Sequence, residues 1–163
     1  MTKLIVKKMN SYLSKFLAQS DDVDILALFL CSQVLSHTEN HKNYINQMKL
    51  NQCGSGNCCL ICSWEEGIGI SDLYDENEED PFTVTLSKET CLKMLDDWGK
   101  MYKLMPNWVV IDFENDAVSM KPYDELPDEE LMDPAHCAGY AGEALEYYAQ
   151  HMALKREREQ QND

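Results

Sequence analysis

Four of the seven cysteines in this 163-residue chain fall within ten residues, Cys53, Cys58, Cys59 and Cys62, with the spacing C-x4-C-C-x2-C. The interval from Cys59 to Cys62 is that of a zinc knuckle, and Gly54 and Gly56 would let the loop curl around an ion. A structural zinc site, however, takes two ligand pairs from separated turns, and no second pair follows. His37 and His41 are four apart and can share a helix face, but nothing nearby completes a ligand set. The alternative chemistry is apolar: Cys58-Cys59-Leu60-Ile61-Cys62 is a short hydrophobic run after a Gly-Ser-Gly-Asn turn, and buried free thiols pack as small hydrophobes. An odd cysteine count without a secretory leader predicts reduced thiols, as in the cytosol. No metal and no cofactor is expected, with a zinc-stabilised interaction module as the alternative built on this cluster.

Other catalytic patterns are missing. Gly54-Ser55-Gly56 lacks the Lys-Ser/Thr of a phosphate-binding loop and opens no helix, and Gly67-Ile68-Gly69 is a lone G-x-G inside a hairpin pattern. The four histidines stand apart in sequence from any Ser or Cys that they could activate. The chain is therefore not expected to be an enzyme.

Carboxylates are the remaining feature. Between Lys49 and Lys88 there is no Lys or Arg, while Glu65, Glu66, Asp72, Asp75, Glu76, Glu78, Glu79 and Asp80 supply half of a 16-residue stretch. Residues 51–150 carry five basic and 22 acidic side chains, so the net charge of −15 resides in the middle of the chain and not in a tail. Such a field repels nucleic acid, whose duplex carries a phosphate charge about every 1.7 Å. It attracts basic proteins and speeds their association by roughly 10- to 1000-fold at low salt. Aromatic residues ringed by charge have hot-spot composition. The candidate partner-binding residues are thus Trp64, Glu65, Glu66, Asp72, Tyr74, Asp75, Glu76, Glu78, Glu79 and Asp80, joined by Asp112, Glu114, Asp116, Tyr123, Asp124 and Glu125 of a second acidic segment. Because both segments flank one strand–helix–strand unit, they are expected to border one face of one sheet.

The elements that position these residues follow from periodicity. Leu4, Met9, Tyr12, Leu13, Phe16 and Leu17 recur at helical spacing, although Leu4 to Val6 alone is equally compatible with a strand. Ser20-Asp21-Asp22 offers an N-cap, and the run from Val23 to Leu35 is apolar nearly all round, as in a central helix. Cys58–Trp64 and Ile68–Leu73 read as a hairpin across Glu65-Glu66-Gly67, and Phe82, Val84 and Leu86 alternate with Thr83 and Thr85. Ser87 caps a helix bearing Leu92, Leu95, Trp98 and Tyr102, and Val109 to Phe113 returns through Glu114-Asn115-Asp116 to Met120. Leu145, Tyr148 and Met152 mark one face of a last helix. The expected fold is α+β in one domain over residues 1–163. It has a small antiparallel sheet of about five strands, an N-terminal helical layer, a strand–helix–hairpin unit and a C-terminal helix. Residues 1–50 are read as mainly helical, 58–120 as sheet with one helix, and 135–158 as the C-terminal helix. The longest apolar run, Ile25–Cys31, is far short of the about 20 residues that span a bilayer, and a cytoplasmic location is expected.

The stretch PFTVTLSKETCLKMLDDWGKMYKLMPNWVVIDFENDAVSM, Pro81 to Met120, resembles bacterial immunity proteins of contact-dependent growth inhibition and related polymorphic-toxin systems. A strand runs into Leu-Ser-Lys-Glu, a helix follows with a Trp near its middle, and then come a hydrophobic strand and an acidic turn. The resemblance covers about 40 of the 163 residues. It implies a cytoplasmic inhibitor that binds the C-terminal toxin domain of a large secreted protein, often a basic nuclease, and occludes its active site or nucleic-acid surface. The alternative is a viral or mobile-element DNA mimic that inhibits host defence nucleases. Neither reading involves direct nucleic-acid or membrane binding, and the oligomeric state is left open.

Overall fold

Leu4, Ile5 and Val6 are all fully buried, and three consecutive buried side chains require a strand covered on both faces. They lie in β1 (Thr2–Met9), which pairs antiparallel with β2 (Tyr12–Ala18) in a computed structural model that describes residues 1–139 and 141–162. Asn10, at φ 57°, opens the two-residue connection. The expectation of helix at the very start of the chain is thus corrected: the first 18 residues form a hairpin, and the helices of the expected N-terminal layer begin only at Asp21. Their three- and four-residue apolar spacing arises because both faces of these strands are buried, which defeats a period-two pattern.

Helix begins at α1 (Asp21–Ala27) and continues without a break as a π-helical segment, Leu28–Val34. Ser20 stands at the N-cap position, but its hydroxyl makes no capping bond and lies buried without a partner among the described residues. The segment ends at Leu35, whose φ of 51° is strained for a branched side chain. The Trp98 indole N–H holds that turn by donating to the Leu35 carbonyl at 2.9 Å. Then follows α2 (Thr38–Gln47).

The middle of the chain supplies β3 (Cys53–Ser55), β4 (Cys59–Trp64), β5 (Gly67–Asp72) and β6 (Thr83–Leu86). α3 (Lys88–Leu104) follows, capped by Ser87, whose Oγ accepts the Thr90 N–H at 3.1 Å. β7 (Trp108–Glu114) and β8 (Ala117–Tyr123) form a hairpin across Asn115 and Asp116, both at positive φ. The last helix is α4 (Glu143–Gln161). In place of one five-stranded sheet there are two four-stranded antiparallel sheets, β2-β1-β7-β8 and β3-β4-β5-β6. The α+β class holds; the strand count fell short because β1, β2 and the short edge strand β3 lack a readable alternation.

One hydrophobic cluster joins the sheets: Leu4, Val6, Val109 and Ile111 from the first, Ile61, Ile68, Ile70, Val84 and Leu86 from the second, together with Val23, Leu26, Phe29, Leu95 and Trp98 of the helices. Each such Leu, Ile or Val contributes about 1.5–3 kcal/mol by leaving water. The opposite face of the first sheet has its own cluster, Ile5, Phe16, Leu17, Trp108 and Val110, covered by Leu126, Ala144 and Tyr147 of the C-terminal segment. Phe16 meets the Trp108 and Tyr147 rings edge-on, with centroids 4.9 and 5.4 Å apart. Ion pairs Lys3–Glu130 at 2.7 Å and Lys7–Glu143 at 2.6 Å clasp the cover. The expected helix over 135–158 starts eight residues late, because Gly139 and Gly142 adopt positive φ. Its docked side is Ala144, Tyr147 and His151, whereas Leu145 of the expected stripe is 55% exposed.

Candidate functional site

Alternation along a strand decides what the second sheet shows to solvent. Ile61, Ile68, Ile70, Val84 and Leu86 point into the core, so Leu60, Cys62 and Trp64 of β4 point the other way. Leu60, Trp64, Tyr74 and Phe82 join neither hydrophobic cluster. Trp64 is seated against Gly69 of β5, where an added Cβ would come within 2.5 Å of the indole. The outer face is therefore an aromatic side chain laid across a glycine, and no larger residue fits beneath it.

The loop between β5 and β6 folds back toward this tryptophan. Asp75, Asn77, Asp80, Pro81 and Phe82 line a cleft of about 620 Å³ together with Trp64. The loop holds its own shape through short-range bonds. The Asp72 carboxylate accepts the Tyr74 N–H at 2.9 Å, and that of Asp75 accepts Asn77 N–H at 2.9 Å and Phe82 N–H at 3.1 Å. The Asn77 side-chain oxygen accepts Asp80 N–H at 3.2 Å. Such side-chain-to-backbone bonds are what Asp and Asn supply in turns. Asp72 and Asp75 are thus loop organisers, while Glu76, Glu78, Glu79 and Asp80 stand exposed. Glu65 and Glu66, in the β4–β5 turn beside Trp64, are exposed too. Among the described residues none of these exposed carboxylates forms a salt bridge.

Of the second acidic segment only Asp116 bonds to residues next to the second sheet. Asp112 is buried on the covered face of the first sheet, opposite Lys3 and 3.7 Å from the Lys121 ammonium. Tyr123 donates its hydroxyl to Glu130 at 3.4 Å in the same group. The hydrogen bond to Glu130 raises the Lys3 pKa, and the two carboxylates of the group, Asp112 and Glu130, are buried while the lysines reach solvent. Glu114 pairs with the chain's amino terminus at 3.7 Å. Asp116 joins the two sheets: its carboxylate accepts Ser87 N–H and its carbonyl accepts the Thr90 hydroxyl, both at 2.8 Å. Asp124 and Glu125 follow the other end of β8, about 26 Å from Asp116 at ~3.3 Å per residue. The two acidic segments separate because β7 and β8 belong to the first sheet and not to the second.

Phe82, 46% exposed, is the cleft residue that alternation misassigned. Parity with Val84 and Leu86 predicts an inward ring, but β6 begins only at Thr83, after Pro81 and the bond to Asp75. The cysteines correct a second expectation. Cys53 and Cys62 are cross-strand partners joined by a disulfide on the outer face, and the other five thiols are free. Cys59 points into the core, since residues three apart on a strand lie on opposite faces. The C-x2-C pair therefore does not converge, and no group of three or more His, Cys, Asp or Glu among the described residues is placed to hold a metal ion. No described helix is long and apolar enough to cross a membrane. No family model, curated protein or solved structure matches the chain.

Proposed function

We propose that this chain is an immunity protein that binds and neutralises a cognate bacterial toxin domain of basic character, a nuclease in the simplest case, without chemistry of its own. The observation that carries the reading is the Trp64–Phe82 cleft rimmed by carboxylates that form no salt bridge among the described residues. Its parts divide the work of binding. Glu65, Glu66, Glu76, Glu78, Glu79 and Asp80 steer a cationic surface during encounter, which acts on the association rate. Trp64 and Phe82 supply apolar anchor area, which acts on residence time. The resemblance of residues 81–120 to immunity proteins of polymorphic-toxin systems agrees with this division, because Pro81, Phe82 and Thr83 at the start of that stretch line the cleft.

The test is growth rescue with the toxin domain encoded immediately upstream of this chain, coupled to stopped-flow binding. Reversing Glu76, Glu78 and Glu79 to Lys is expected to slow association at least ~10-fold at low salt and to flatten its salt dependence. Trp64→Ala is expected to cost about 2 kcal/mol or more, chiefly through dissociation. Failure to rescue, with the toxin active, overturns the immunity role. Association of the triple variant as fast as the parent overturns the electrostatic mechanism. Binding to several unrelated DNA-binding enzymes would identify a DNA-mimicking inhibitor instead.

A further inference from the structure

On the core side of the second sheet, where α2 and the π-helical segment meet the β3–β4 hairpin, lies a separate cleft of about 220 Å³ lined by Gln33, Asn40, His41, Tyr44, Ser55 and Ile61. Gln33 belongs to the π-helical segment and is only 8% exposed. π-Helical turns occur often at functional sites. The Gln33 Oε1 accepts the backbone N–H of Cys59 at 2.8 Å and of Cys58 at 3.3 Å. Both partners can only donate, so the orientation of the amide is fixed and its NH₂ is the other end. That NH₂ makes no hydrogen bond to an acceptor among the described residues, which leaves it available to a group entering the cleft. Gly56 makes room for the amide, since a Cβ there would lie 2.3 Å from the Gln33 Cδ.

The second polar wall is His41. Its Nδ1 lies 2.8 Å from the His37 carbonyl oxygen. A carbonyl only accepts, so Nδ1 carries the proton and, in the neutral ring, Nε2 is left as an acceptor. The ring is held edge-on to Phe29 with centroids 6.0 Å apart. The cleft thus pairs a preset donor with a preset acceptor, between the apolar surfaces of Tyr44 and Ile61.

We infer that this cleft is a binding site for a carboxamide on a small flat body, whose carbonyl accepts from the Gln33 NH₂ and whose N–H donates to His41 Nε2. The volume holds about seven waters at ~30 Å³ each, which suits an aryl amide or the side chain of an inserted Asn or Gln. A carboxylate fits worse, because it brings no donor for His41 and meets a net charge of −15. An ammonium offers nothing to the Gln33 donor. The site lies on the opposite face of the sheet from the Trp64 cleft, so it stands whether or not the chain is an immunity protein.

Benzamide, N-acetylglutamine methylamide and benzoate, each titrated against the full chain with NMR of the Gln33 side-chain amide and the His41 imidazole nitrogens, test the inference. Saturable shifts at both residues at millimolar benzamide or glutamine derivative, with benzoate at least ~10-fold weaker, support it. Preference for benzamide indicates a free small molecule, and preference for the glutamine derivative indicates a side chain from a protein partner. His41→Phe keeps the ring packing on Phe29 and is expected to weaken binding at least ~10-fold with an unchanged Tm. Gln33→Glu, which keeps the acceptor for both amides and loses the donor, is expected to do the same. Signals unmoved by either amide at tens of millimolar, or benzoate binding as well as benzamide, would overturn the inference.

Discussion

Asp75 shows how one carboxylate can matter without touching a partner. Its two oxygens accept the amides of Asn77 and Phe82 and so close the loop that carries the exposed Glu76, Glu78 and Glu79. Asp75→Ala is expected to cost about 1–2 kcal/mol in urea unfolding, whereas Glu78→Lys stays within about 0.5 kcal/mol. Equal effects of the two substitutions would refute the division into organiser and bait. The cysteines allow a second residue-level test. Thiol titration of the native protein without reductant should reach Cys58 and Cys137, the half-buried pair, long before Cys31, Cys59 and Cys91. Unfolding should release five thiols, and seven after reduction. Burial pushes the Cys31 and Cys91 thiols up to about 12 from 9.0. As pH rises past 9.0 the unfolded chain therefore loses these protons first, and stability falls across pH 9 to 12. Cys91→Ala should make that fall shallower, as measured by chemical denaturation at stepped pH.

At the scale of elements, Ser87 marks where the sequence speaks most clearly. Its Oγ caps α3 as its position predicts, and Ser87→Ala is expected to cost about 1 kcal/mol. A loss near zero in thermal unfolding would show that Asp116, bonded to the same residue's N–H, secures the junction unaided. The hairpins at Glu65-Glu66 and Asn115-Asp116 were equally legible, because turn residues and alternating strands agree there. Legibility failed where burial is two-sided. Leu4-Ile5-Val6 gives no alternation because the core lies on one face and the C-terminal cover on the other. Of the candidate site, Trp64 and the loop 72–80 could be read from composition, whereas the inward placement of Asp112 and Tyr123 depends on which sheet β7 and β8 join, and no local pattern encodes that. Gly69 was invisible for a similar reason, since its role is to lie beneath a ring five residues away. Gly69→Val is expected to displace Trp64, read as a red shift of its emission and weaker partner binding with the helix content intact.

The whole molecule treats its two sheets differently. The first has both faces covered, one by the shared core and the other by the C-terminal segment clasped through Lys3 and Lys7. The second packs its core side against the helices, and its other face carries Trp64, which itself covers Gly69, with Phe82 and the carboxylate rim. The division sets the salt response: added salt should slow partner association while leaving the midpoint of unfolding nearly unchanged, because the rim carboxylates make no salt bridges among the described residues. A large salt-induced shift in Tm would mean that the rim charges act on folding itself.

An open sheet face with exposed aromatic rings invites a second copy of the same chain. Any two-fold pairing of this face, however, would bring each rim against its own image. Like charges would meet across the symmetry axis at every register, so the surface discriminates against itself while remaining open to a cation. Acidification toward the isoelectric point of about 4.5 removes that self-avoidance, and light scattering should then detect association that is absent at neutral pH.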